Sequence, residues 1–213
     1  LDSCVLDNDS AKCKAGSKPT YKKKKGYHPI NLIWNGIYVD TLFQEGHRST
    51  NHNNVVTDML NKIIPEIRNT VHEDVKIIVR MDGGYFDQKI FSTCDELKIG
   101  FVCAGKHYKK GHAALLATPL EDFTGEYKKA GTTWKFLPFT EHRESWPKEM
   151  NYRALFLRAT QDDGSGGRIG DQFVTTLDVS AEGNLIIRTS GMDYLTVQTG
   201  KVVLGGRALY ESI

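Results

Sequence analysis

The spacing of apolar residues changes several times in the first hundred positions, and each change marks an element. Residues 2–6 form a short strand-like run, followed by a polar, lysine-rich, turn-like stretch over 7–26. Two β-prone runs, 27–34 and 37–43, flank Asn35-Gly36, a pair that supplies the positive φ angles of a tight hairpin. Residues 51–54 offer several helix caps. Beyond them Val55, Val56, Met59, Leu60, Ile63, Ile64 and Ile67 recur every three to four positions, which predicts a helix with one buried face. Pro65 lacks an N–H and is expected to kink or shorten that helix near its end. Residues 75–81 are almost continuously apolar, as in a central strand covered on both faces, and end at Asp82-Gly83-Gly84. Asp87 then caps a second helix whose face is Ile90, Phe91, Cys94 and Leu97, and residues 99–104 read as another buried strand.

The resulting order is strand, hairpin strands, helix, strand, helix, strand. An antiparallel meander continued by α/β units is the plan of an α/β fold with a ribonuclease-H-like mixed sheet. Beyond Lys106 the helical period fades. Short β-prone runs appear at 134–139, 152–158, 173–179 and 185–188, separated by Gly/Asp/Ser turns such as 162–167. The expected organisation is a first part of the core over 1–108, a β-rich insertion over 109–190, and the start of a return to the core over 191–213.

Charge and cysteine usage narrow the setting. The net charge is only +2, but the cations are clumped: Lys12, Lys14, Lys18 and the run Lys22, Lys23, Lys24, Lys25, then Lys106, Lys109 and Lys110. Such clumps suit a polyanion, or alternatively a solvated loop. Cys4, Cys13, Cys94 and Cys103 form no C-x2-C pair, and the last two lie on apolar runs as buried thiols, which favours a reducing, cytoplasmic home. No stretch approaches the roughly 18 to 20 apolar residues that cross a bilayer, so no membrane is expected. The chain opens with Leu1-Asp2-Ser3, without Met or a leader, and reads as a piece of a longer protein that begins inside a strand.

Asp82 is the leading candidate for chemistry. It closes a buried strand, where ligand groups of open α/β sheets gather, and two glycines let a phosphate come close. The competing reading is an ordinary Asp-Gly turn. Asp2, on the first strand, is the second candidate, whereas Asp7 and Asp9 fall in the polar stretch. Two carboxylates about 4 Å apart repel by ~4 kcal/mol at an effective dielectric near 20, a cost that a divalent cation removes. All-oxygen ligation suits Mg²⁺ or Mn²⁺. Such a site does phosphodiester chemistry without a serine or cysteine nucleophile. The chain has no G-x-S-x-G, Walker-type or H-E-x-x-H motif, which argues against those hydrolases, P-loop enzymes and zinc proteases. The histidines are scattered and read as surface or packing residues, with His47 and His52, between strand and helix, offering the alternative of a path for a DNA strand.

Three segments carry a family resemblance: residues 1–9, residues 18–29 with Lys18-Pro19-Thr20-Tyr21 and Gly26-Tyr27-His28-Pro29, and residues 77–87 with Arg80-Met81-Asp82-Gly83-Gly84-Tyr85. Together they resemble DDE-type bacterial insertion-sequence transposases of the cut-and-paste group with a β-rich insertion. The resemblance covers about residues 1–108. It implies that Asp2-Ser3 holds the first catalytic acid and that Asp82 in a D-G-G-Y motif is the second. In the insertion Trp146 would stack on a DNA base, with a core or hairpin role as the alternative. The third acid should be a Glu in a helical Y-x2-R-x3-E-x6-K signature. Arg207 and Glu211 supply R-x3-E, but Leu204 stands in place of the Tyr and the chain ends before the Lys. In a second alignment Tyr210 is the signature Tyr and Ile213 replaces the Arg.

The resemblance implies metal-dependent cleavage at transposon ends, followed by strand transfer to target DNA. Asp2, Asp82 and Glu211 would hold Mg²⁺ or Mn²⁺, and Lys22, Lys23, Lys24 and Lys25 would contact duplex DNA. It also implies a homodimer in the DNA complex, a nucleoid-associated cytoplasmic location, and the loss of an N-terminal DNA-binding domain. Two alternatives remain in view: a truncated, inactive DNA-binding relic, and a stand-alone ribonuclease-H-like nuclease.

Overall fold

The computed structural model describes residues 1–105, 112–129 and 131–161, together with the strand backbones at 168–176, 185–187, 195–198 and 201–204. The chain divides into two compact units, Leu1–Phe101 and Val102–Ile213. It is a mixed α/β structure with several small sheets and one parallel pair of strands.

In the first unit the expected opening strand is broken into β1 (Asp2–Ser3) and β2 (Leu6–Asp7). The stretch expected to be turns also contains β3 (Lys18–Pro19) and β4 (Lys25–Tyr27), and β2, β4 and β3 form a small antiparallel sheet. The run expected over 27–34 is interrupted at His28-Pro29, so β5 spans Ile30–Trp34 and pairs with β6 (Ile37–Leu42). Asn35 and Gly36 have φ of 50° and 80°, as a two-residue hairpin turn requires. Asp2 lies opposite Asn31 and Ser3 opposite Ile30, which gives a three-stranded order β1-β5-β6. The hairpin tip is apolar and exposed, with Trp34, Ile37 and Tyr38 all in solvent.

Helix α1 (Val55–Thr70) buries Val56, Met59, Leu60, Ile63 and Ile64 on the expected face. Pro65 does not end it. The helix runs on to Thr70, with Pro65 on its exposed side. Strand β7 (Ile78–Met81) corrects a second expectation. Val79 and Met81 are buried but Ile78 and Arg80 are exposed, so one face rather than both is covered. Helix α2 (Gln88–Glu96) follows, capped by Asp87, whose carboxylate accepts from the Lys89 and Ile90 N–H groups. Strand β8 (Gly100–Ala104) begins beside β7, parallel to it, with the Gly100 N–H on the Ile77 carbonyl. Phe91 of α2 stacks on Phe101 at 4.4 Å, and Arg68 of α1 donates to the Leu97 and Lys98 carbonyls that close α2.

The second unit is mostly antiparallel. A short helix α3 (Ala113–Ala117) precedes β9 (Gly125–Lys129), β10 (Thr132–Glu141), β11 (Tyr152–Gln161) and β12 (Arg168–Thr176). They pair in the order β12-β11-β10-β9, and Val102–Ala104 of β8 join the β12 edge. A separate meander holds β13 (Leu185–Ile187), β14 (Leu195–Gln198) and β15 (Lys201–Leu204). Phe123 and Phe156 form a small core with Leu115, Leu116, Leu137 and Phe139. Arg158 is buried over both rings and donates to the Leu116 and Thr118 carbonyls, satisfying the end of α3. The buried Glu141 carboxylate contacts His112 Nε2 at 2.9 Å and accepts from Arg143 Nε at 3.2 Å.

Candidate metal centre

Asp82 ends β7 with an extended backbone and caps the 3-10 turn Gly83–Tyr85, its Oδ1 accepting from the Gly84 N–H at 2.8 Å. The turn reading of this residue is therefore real, and it also holds the exposed carboxylate at the strand end. Asp2 is exposed on β1, and its Oδ1 accepts from the Ser3 N–H at 2.7 Å. The Leu1 nitrogen donates to the Arg80 carbonyl at 2.8 Å, which brings the start of β1 alongside the end of β7.

Tyr85 reports what this arrangement does electrostatically. Its side chain is wholly buried, and its hydroxyl has no hydrogen-bond partner of good geometry. Burial pushes the phenol far above its ordinary range. The Ser3 side chain is near enough to oppose that shift, and the Asp82 and Asp2 charges both add to it. The two acids thus bear on one buried polar group.

A single loop is tied to the neighbours of both acids. Thr50 Oγ1 donates to the Gly84 carbonyl at 2.7 Å, and Asn51 Nδ2 donates to Asp87 at 3.3 Å. On the other side the His28 ring bridges the Arg48 carbonyl, at 3.4 Å, and the Ser3 hydroxyl, at 3.0 Å. Thr50 did not stand out in the sequence, and His28 did so only within Gly26-Tyr27-His28-Pro29, because each acts through contacts made between distant segments.

The donor chemistry fits a hard divalent cation: Asp2 and Asp82 would hold it through oxygen, beside an orphaned phenol. Among the described residues no group of three or more His, Cys, Asp or Glu side chains is placed to hold a metal ion. Glu211, with the Arg207 signature and Tyr210, lies outside the described residues, as do Lys106, Lys109 and Lys110.

Lys22, Lys23 and Lys24 are exposed on the turn between β3 and β4, and Lys25 is exposed at the start of β4. Lys24 faces Asp7 at 3.9 Å and Asp9 at 3.7 Å, so part of its charge is already answered. Asp7 and Asp9 thus belong to this lysine turn, with Asp9 Oδ1 accepting from the Lys25 N–H. Trp146 is buried, with Tyr152 edge-on at 5.7 Å and the Arg143 guanidinium over its ring at 5.2 Å. A base reaches that indole only if this packing opens. Cys94 and Cys103 are buried, as the apolar runs around them required. Among the described residues no helix is long and apolar enough to cross a membrane. No protein-family model matches this chain, and no curated protein matches it.

Proposed function

We propose that this chain is the catalytic portion of a DDE-type transposase, built on a ribonuclease-H-like sheet and acting on duplex DNA with Mg²⁺ or Mn²⁺. The observation that carries the reading is the Leu1–Arg80 hydrogen bond, which sets the strand of Asp2 beside the strand end of Asp82. The sheet order β6-β5-β1, the neighbouring strands β7-β8 of a second sheet, and the placement of α1 after β6 and α2 after β7 support a ribonuclease-H-like reading.

Asp2 and Asp82 would hold the cation, with Glu211 as the third acid. When bound, that cation supplies Lewis acidity toward a phosphodiester. The chain's own residues position the rest. Gly84 presents no Cβ beside the Asp82 carboxylate, Thr50 anchors the turn, and Lys22, Lys23 and Lys25 offer charge to DNA phosphates.

Nicking of duplex DNA in Mn²⁺ tests this, with Asp82→Asn as the control because an amide keeps the cap but loses the charge. The parent is expected to nick and to gain thermal stability with Mn²⁺, and the variant to do neither. Full nicking by Asp82→Asn would overturn the assignment. A second reading, an inactive DNA-binding relic, is favoured by one observation: among the described residues no group of three or more His, Cys, Asp or Glu side chains is placed to hold a metal ion. It predicts salt-sensitive DNA binding with no nicking by the parent.

A further inference from the structure

A groove of about 430 Å³ opens in the first unit, lined by Tyr27, Phe43, Glu45, Arg48, His52 and Asn53 among others. That volume is in the range of small-ligand sites. Its aromatic wall is a pair, Tyr27 and Phe43, with ring centroids 4.7 Å apart, and Phe43 is 60% exposed. An aromatic face left in solvent is costly for burial but suited to stacking. The Tyr27 hydroxyl is anchored by donation to the Ala15 carbonyl at 2.6 Å, so the wall has little freedom to collapse.

The opposite side supplies a fixed cation. Arg48 contacts Glu45 at 3.2 Å and His52 at 2.6 Å, so its guanidinium is held in place before any ligand arrives. Glu45 answers part of that charge, but the rim adds more. Gly16 lines the groove, and the loop around it carries Lys12, Lys14 and Lys18, all exposed. The local balance is positive, matching a phosphate-bearing ligand.

The groove shares a loop with the acidic centre. Its residues 45–53 belong to the loop that Thr50 pins to the Asp82 turn, and the Arg48 carbonyl reaches Ser3, next to Asp2, through His28.

We infer that the groove is a nucleotide subsite: an unstacked base of the DNA strand lies against Phe43, and its phosphate lies at Arg48. This rests on the DNA-processing reading above and assigns that substrate a second point of contact. Stacking recognises the π-face of any base, so the subsite takes a nucleotide without sequence preference.

Short single-stranded oligonucleotides carrying the fluorescent base 2-aminopurine at successive positions test the inference with the full chain. The parent is expected to quench at least one position. Phe43→Ala should abolish that quench and weaken binding about tenfold, whereas Phe43→Trp should retain it. Arg48→Ala should weaken binding and lower the salt slope by about one phosphate. Circular dichroism establishes that each variant is folded, and the exposure of Phe43 makes that the expected result. If the parent binds the oligonucleotides but quenches none, or Phe43→Ala quenches as the parent does, the subsite is wrong and the DNA reading stands. If the parent binds neither single-stranded nor duplex DNA at low salt, the DNA reading itself fails and takes the subsite with it.

Discussion

The Thr50 hydroxyl donates to the Gly84 carbonyl oxygen at 2.7 Å, joining two turns that lie 34 positions apart in the chain. One turn follows the β5–β6 hairpin and the other follows the strand that ends at Asp82. Thr50→Val keeps the shape and removes the donor. A typical loss is about 1 kcal/mol, because the exposed carbonyl can turn to water instead. A lower urea midpoint at unchanged slope is the expected measurement. The stabilisation gained from Mn²⁺ should also fall, since the turn that orients Asp82 loosens.

Gly84→Ala separates the fold from the site. A Cβ there would lie 2.9 Å from Asp82 Oδ1 and 3.6 Å from Thr50 Oγ1, so the carboxylate has to move. Alanine also restricts the unfolded chain, and folding stability without metal should therefore stay within about 1 kcal/mol of the parent. The rise in thermal midpoint on adding Mn²⁺ should fall by at least half. An unchanged rise would show that the Asp82 carboxylate has no part in binding the ion.

Pro65→Ala should stabilise the protein. Pro65 is exposed within α1, and Ala restores the N–H that a helix interior uses. The gain expected is about 1 to 3 kcal/mol, below the full peptide penalty because the helix has already adjusted. Chemical denaturation with and without the substitution measures it.

Alkaline pH should unfold the protein through Cys94. Burial, assisted by the nearby Asp95 charge, pushes this thiol from its ordinary 9.0 up to about 12. The neutral thiol is the form the fold stabilises. Its contribution is therefore complete below pH 9.0 and is lost as the pH rises towards about 12. Tyr85 shifts in the same direction for the same reason, burial, and adds to the loss. Thermal midpoints across this window should fall steeply for the parent and less steeply for Cys94→Ala.

Several elements were legible because their causes are local. Asn35-Gly36 announced its hairpin since both residues tolerate positive φ, and Asp87 announced α2 by capping it. The face of α1 followed from spacing alone. Other features were not legible. β3 and β4 are two and three residues long, too short to carry a period, and exist through pairing with each other and β2. α3 and β9 were missed in the same way: α3 is five residues long with its closing carbonyls held by Arg158, and β9 stands by its pairing to β10.

By itself the sequence determined the alternation of strands and helices over the first hundred residues, the Asp87 cap, the hairpin turn and the buried thiols. Each depends on a residue and its near neighbours, through backbone angles or through which face is apolar. Only the tertiary structure decided that β7 is covered on one face, that Trp146 is packed rather than presented, and that Lys24 already faces Asp7 and Asp9. It alone brought the Thr50 loop to the Asp82 turn and His28 to Ser3. The physical reason is range: hydrogen bonds, ion pairs and burial act across a few ångströms of space, whatever the separation along the chain.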